Sequence, residues 1–294
     1  MSAVRSVAGD INLPPAALPA GMQVPFVKMH GLGNDFMVVE WPEGVREPDP
    51  ERVRRWADRR RGVGFDSLLL LSTKRSDAGA ARYRVLNADG GEAQQCGNGA
   101  RCLASFLAGE ACARLTLISA AGPVEARVLA GGQVSINLGE PNFEPAALPF
   151  EADARRERYV IDLEHGRVEI GAVSMGNPHA VIEVGSVDAA PVGILGPQLA
   201  AHPAFPEGVN VGFMQLESRE RVRLRVFERG VGETLACGTG AAAAVAVGRL
   251  WGQLADDVEV QLPGGVLRVA WPGPGQPLWQ TGQTTKVYEG RIEL

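Results

Sequence analysis

Apolar positions along the chain come in two textures. Most form short runs bounded by Gly, Pro and Asn, such as Phe36 to Val39, Leu68 to Leu71 and Val222 to Phe227. Runs of that length and setting predict β-strands. Two stretches differ: Cys96 to Ala108 and Cys237 to Trp251 are built almost wholly of Ala, Gly, Val, Leu and Phe. A helix apolar on all sides is a buried one, and the small residues of Gly240-Ala-Ala-Ala-Ala-Val-Ala-Val-Gly248 let strands approach its backbone from every direction. The pattern predicts an α+β fold rich in strands, with two central helices each wrapped by mostly antiparallel sheet.

The two helices belong to an internal duplication. Laid at one offset, Tyr83 to Ala100 and Leu224 to Ala241 are identical at eight of eighteen positions. The matches are Arg84/Arg225, Val85/Val226, Gly91/Gly232, Glu92/Glu233, Cys96/Cys237, Gly97/Gly238, Gly99/Gly240 and Ala100/Ala241. A nearly equal offset pairs Gly33-Asn34 with Gly176-Asn177, each opening a β-type run. Two domains related by a pseudo-twofold follow, spanning 24–145 and 146–294 and joined through the Pro-rich segment Glu140 to Pro149. An Ala- and Pro-rich stretch over 1–23 reads as a poorly ordered leader. Each half is expected to bring a cysteine, on the first turn of a buried helix, to a shared cleft.

Charge and composition narrow the function. A chain of 294 residues that is 45% apolar can bury two substantial cores. The formal charge of -5 comes with no basic block, because Arg52, Arg54, Arg55, Arg59, Arg60 and Arg61 are interrupted by Trp56, Ala57 and Asp58. That run reads as the wet face of a helix, not as a nucleic-acid footprint. No stretch approaches the roughly 18 apolar residues needed to cross a bilayer. Four cysteines are too few for a disulfide framework, so free thiols in the cytoplasm are expected. The expected partner is a small molecule, with neither nucleic acid nor membrane, and the assembly expected, if any, is a homodimer.

Cys96 and Cys237 recur at equivalent positions in Cys-Gly-X-Gly-Ala, whereas Cys102 and Cys112 read as small core hydrophobes. A thiol at a helix N-terminus is expected to have its pKa lowered from roughly 8.5 toward neutrality. Inversion at an amino-acid α-carbon needs a base on one face and an acid on the other, and two cysteines related by a pseudo-twofold supply both. Gly97, Asn98, Gly238 and Thr239 follow the cysteines and can offer backbone N–H groups to a carboxylate that gathers negative charge. Oxidation would join the two thiols in an inactive disulfide. No metal is expected, since there is no Cys-x-x-Cys pair and His30, His165, His179 and His202 are scattered. The glycine-rich segments lack the ending of a phosphate loop, so no nucleotide or other cofactor is expected. A redox switch, a cysteine hydrolase and a proline-type racemase are the competing classes.

The residues Lys28-Met-His-Gly-Leu-Gly-Asn-Asp-Phe36, Asn87-Ala-Asp-Gly90, Gln95-Cys-Gly-Asn-Gly-Ala-Arg-Cys102, Gly176-Asn-Pro-His179, Gly208-Val-Asn-Val211 and Glu228-Arg-Gly-Val-Gly-Glu-Thr234 with Ala236-Cys-Gly-Thr-Gly240 resemble the diaminopimelate epimerase family. The resemblance runs from about residue 24 to the C-terminus. It implies interconversion of LL- and meso-diaminopimelate without pyridoxal phosphate or metal, feeding lysine and peptidoglycan synthesis. It makes Cys96 and Cys237 the acid/base pair and places Asn34, Asn87, Asn177, Asn210, Glu228 and Arg229 around the substrate, with His179 and Glu228 near the thiols. The chain departs from the family at Ser67 in Gly62-Val-Gly-Phe-Asp-Ser67, where Gln is usual. A substrate contact there is expected to be absent or carried by water.

Overall fold

A computed structural model of the chain describes residues 21–75, 80–93, 96–164 and 166–294. The expected leader falls largely on 1–20, outside the described residues, as do Gln94, Gln95 and His165. By Met22 the chain is already tied to the sheet, since Leu294 N–H donates to the Met22 carbonyl at 2.9 Å.

The first half contains β1 (Gln23–Gly31), β2 (Asn34–Trp41), α1 (Pro50–Ala57), β3 (Ser67–Arg75), β4 (Ala81–Asn87), β5 (Glu92–Ala93), α2 (Gly97–Ala108), β6 (Ala113–Ser119), β7 (Gly122–Val128) and β8 (Gln133–Asn137). After β9 (Tyr159–Leu163) the same order returns as β10 (Gly166–Ser174), β11 (Pro178–Glu183), α3 (Val192–Ala200), β12 (Asn210–Ser218), β13 (Arg221–Glu228), β14 (Gly232–Thr234), α4 (Gly238–Leu250), β15 (Asp257–Leu262), β16 (Gly265–Ala270) and β17 (Trp279–Gln283), followed by β18 (Thr285–Glu293). Pairings repeat with the elements. β2 runs parallel to β3 as β11 does to β12, and β4 parallel to β6 as β13 does to β15, among otherwise antiparallel neighbours. β8 pairs antiparallel with its own counterpart β17, the relation a twofold axis between them imposes. β9, which follows the first half, completes the second half's sheet beside β10, and β18 completes the first beside β1.

Each half buries two cores. Ala100, Cys102, Leu103 and Ala104 of α2 sit inside their sheet against Phe36, Leu69, Val85 and Ile136. α4 fills the equivalent place with Ala241 to Val247, each at 0% exposure. Its small residues are required there: a Cβ on Gly240 would stand 2.9 Å from Val226 Cγ2. The outer face of each sheet is covered by the other helix, Val53 and Trp56 of α1 in one half and Val192 and Leu199 of α3 in the other. No helix among the described residues is long and apolar enough to cross a membrane.

Two sequence expectations are corrected. The arginine run is only partly helical, because α1 ends at Ala57 and the Asp58 carboxylate accepts from the N–H groups of Arg60 and Arg61 in a turn. Released from the helix, Arg59 reaches Asp35 and Asp66. Cys102 is a core residue, but Cys112 is exposed in the turn after α2.

Candidate active site

Cys96 and Cys237 are the N-caps of α2 and α4, both in extended backbone conformation. Each thiol accepts a hydrogen bond from the N–H three residues on, Gly99 or Gly240, at 3.4 Å. Capping by sulfur satisfies one of the donors that a helix start leaves without a helical acceptor. Upstream of each cysteine the duplicated Arg and Glu form the same two-point ion pair, Arg84 to Glu92 at 2.8 and 2.7 Å and Arg225 to Glu233 at 2.6 and 2.8 Å. These clasps pin the short strands β5 and β14 that lead into the two caps.

The helix starts meet across the halves. Asn98 Nδ2 donates to the Ala236 carbonyl at 3.2 Å and to Asn34 Oδ1 at 3.1 Å. Asn34 Oδ1 also lies 3.8 Å from Cys96 Sγ, while Asn34 Nδ2 donates to Asp66 at 3.0 Å. A carboxylate can only accept, so Asp66 fixes which end of the Asn34 amide faces the thiol. Asp66 belongs in turn to an ionic cluster with Arg59, Asp35 and Lys28. Burial opposes ionisation of Asp35, but its hydrogen bonds to Arg59 and Lys28 prevail and hold its carboxyl well below the usual range.

On the other side, Thr239 Oγ1 lies 3.7 Å from Cys237 Sγ and accepts from Asn177 Nδ2 at 3.3 Å. Asn177 Oδ1 meets His179 Nε2 at 3.0 Å. Asn210 uses its amide to bracket backbone, donating to Pro178 O at 3.1 Å and accepting from Arg229 N–H at 3.0 Å. The Arg229 guanidinium donates to the Glu207 carbonyl, and Glu228 accepts from the Thr234 hydroxyl. Asn87 stands one strand further out, where Ser67 Oγ donates to its Oδ1 at 3.5 Å. Ser67 therefore faces the neighbouring predicted site residue.

Electrostatics join the halves as well. Burial pushes the Cys96 thiol up, outweighing the Gly99 N–H, and the Glu228 carboxylate of the other half adds to the rise. The Cys237 thiol is pushed up by burial and by the same carboxylate, against the pull of Thr239 and Gly240. The expected lowering toward neutrality is thus reversed. The helix starts are where the sequence puts them, but desolvation of a buried thiolate costs more than their dipoles return. Sequence reasoning also missed Arg101 and Gln280, both at 0% exposure between the two helix starts. A lone charged residue inside an otherwise apolar helix was the available signal for Arg101; Gln280 carries none.

His179 yields a stability prediction. Burial, reinforced by the Arg229 charge, holds its pKa down to about 3 from the usual 6.5. Between those values the unfolded chain binds a proton that the folded protein refuses, so stability falls as pH falls, by up to ~1.4 kcal/mol per pH unit. Urea titrations at pH 7 and pH 5 should show that loss in the wild type and a smaller one in His179→Gln. Equal losses would contradict a buried neutral imidazole.

Two thiols capping converging helices of a duplicated α+β chain define the class, and the fold recurs in a hydroxyproline epimerase from Agrobacterium vitis, with a TM-score of 0.68 at 19% identity over 92% of this chain and 93% of that one. The sequence model of the family described as diaminopimelate epimerase matches residues 26–144 and 171–287. Diaminopimelate epimerase of Nitrosomonas europaea is 49% identical over 276 residues, 93% of this chain and all of its own, and that of Halorhodospira halophila is 51% identical over 275 residues, 92% of this chain and 95% of its own. The chain belongs to the diaminopimelate epimerase family.

Proposed function

We propose that the protein is an isomerase that interconverts LL- and meso-2,6-diaminopimelate by proton transfer between two thiols at one α-carbon, without cofactor or metal. One of Cys96 and Cys237 removes the α-proton as thiolate, and the other returns a proton from the opposite face as thiol. Their roles exchange with the direction of reaction. The observation that carries this reading is that Cys96 and Cys237 cap two helices whose starts meet across the halves, joined by the hydrogen bond from Asn98 to the Ala236 carbonyl.

The first-turn N–H groups of Gly97, Asn98, Gly238 and Thr239 receive the substrate's α-carboxylate, so charge leaving the α-carbon meets two helix N-termini at once. Glu228 accepts from the substrate's ammonium group. Neutralising its charge weakens the upward push on both thiols and brings a thiolate within reach. His179 orients the donors around Cys237 through Asn177 and Thr239. Asn34, Asn87 and Arg229 serve the remainder of the substrate, and Asn210 holds the backbone of Arg229. In this reading 24–145 and 146–294 are the two functional halves, the enzyme works in the reducing cytoplasm as a homodimer, and its product feeds lysine and peptidoglycan synthesis.

A substrate panel followed by chiral chromatography tests the proposal. Reduced protein should convert LL-diaminopimelate to the meso form while leaving L-lysine and trans-4-hydroxy-L-proline unchanged. Epimerisation of hydroxyproline with diaminopimelate untouched would overturn the substrate.

A further inference from the structure

Arg101 lies on α2, one turn beyond Cys96, and is among the largest fully buried side chains of the described residues. Burial lowers its pKa only to about 10, so it stays cationic at neutral pH. Its hydrogen-bond partners at Nη1 and Nη2 are the oxygens of two neutral amides, Gln280 Oε1 and Asn98 Oδ1, both at 2.5 Å. A guanidinium only donates, so each amide must turn its oxygen toward it and its NH2 group away. The consequence is specific. Asn98 Nδ2 is delivered to the carbonyl of Ala236, and Gln280 Nε2 to the carbonyl of Gly238 at 2.6 Å. Those are the residues immediately before and after Cys237. Gly282 leaves room for the guanidinium, since a Cβ there would stand 3.3 Å from Arg101 Cζ. The duplicated position in α4 is Ala242, so one arginine serves both halves.

We propose that Arg101 is a positioning residue for the thiol pair: rooted in the helix that Cys96 caps, it orients Asn98 and Gln280 so that they grip the backbone on either side of Cys237 and fix the two thiols on opposite faces of the substrate carbon. The inference rests on the two-thiol reaction proposed above. Arg101 touches no reacting atom, so its loss acts through geometry. A misplacement of about 1 Å in such a site costs on the order of a hundredfold in rate.

The test compares Arg101→Met, Arg101→Lys and Gln280→Glu with Cys96→Ala and Cys237→Ala, following inversion of LL-diaminopimelate and α-deuterium exchange in deuterated water. Arg101→Met should lose about a hundredfold in kcat with KM changed less than about threefold. The ratio of exchange without inversion to inversion should rise, a readout that simple loss of folded enzyme does not move. Lysine cannot fork to both amides, so Arg101→Lys should recover less than a tenth of the wild-type rate. Gln280→Glu keeps an oxygen for Arg101 but loses the donor to Gly238, and should cost at least tenfold in kcat; it decides the matter if Arg101→Met does not fold. Wild-type kcat and exchange ratio in folded Arg101→Met, or wild-type kcat in Gln280→Glu, would overturn the proposal. If the cysteine variants also inverted the substrate, the two-thiol reading would fail and this inference with it. If they fail to invert it while Arg101→Met is normal, only the role of Arg101 falls.

Discussion

Replacing either Cys96 or Cys237 by alanine is expected to lower inversion roughly a thousandfold, the scale of a lost acid or base in a proton-transfer step. Each variant keeps the other thiol on its own helix start, still accepting from its glycine N–H. That thiol can remove the α-proton from the stereoisomer it faces and return a solvent deuteron to the same side. Cys96→Ala and Cys237→Ala should therefore exchange opposite stereoisomers without inverting them, as deuterium at the α-carbon of LL- and meso-substrate incubated separately will show. Inversion at the wild-type rate by either variant would exclude a role for both faces. The asymmetry of exchange also assigns each cysteine to its stereoisomer.

The second large effect concerns a close backbone approach beside the segments that carry Asn34 and Cys237. The turn between β15 and β16 brings Gly264 against Leu32 of the β1–β2 turn, and its N–H donates at 2.8 Å to the carbonyl of Leu235, just after β14. A Cβ there would fall far inside contact distance of the Leu32 carbonyl and 3.0 Å from that of Leu235. Both obstacles are backbone, so no rotamer change relieves them. Leu32 is itself held at φ +57°, leaving the turn little freedom to retreat. Gly264→Ala should cost about 3 kcal/mol, at the upper end of overpacking, and lower the melting temperature by roughly 5–10 °C. Activity should fall more than stability at 25 °C, because Leu32 and Leu235 lie two residues from Asn34 and Cys237. Gly185→Ala, with nothing within 4 Å of the added carbon, is the matched control and should melt as the wild type does. Equal melting of the two variants would contradict the close approach.

What the sequence made legible followed from identity between the halves. Arg84 with Glu92 and Arg225 with Glu233 form one clasp twice, and Cys96 and Cys237 cap their helices with the same sulfur-to-amide bond. Both central helices were recognisable because their composition leaves no solvent face. The return of β18 to the first half's sheet was hidden, since an edge strand's own residues do not say which sheet will take it. Arg59 could not be separated from the helix by charge pattern alone; the turn made by Asp58 moves it onto Asp35. The thiols were misjudged electrostatically for a related reason. Local sequence shows the helix dipole but not the depth of burial or the approach of Glu228, and those decide the sign of the shift. Gln280 lies 184 residues from Cys96 in no motif at all, and the antiparallel pairings of β17 with β8 and β16 carry it to the helix starts.

The central claim is that two thiols act from opposite faces of one carbon, and the most direct measurement follows LL-diaminopimelate with the reduced wild-type protein in deuterated water at early conversion. The account predicts that each new meso molecule carries deuterium at the inverted centre while the remaining LL substrate stays protonated there. Meso product that keeps the substrate's own hydrogen, or LL substrate that gains deuterium as fast as product forms, would show a single base serving both faces and would contradict it.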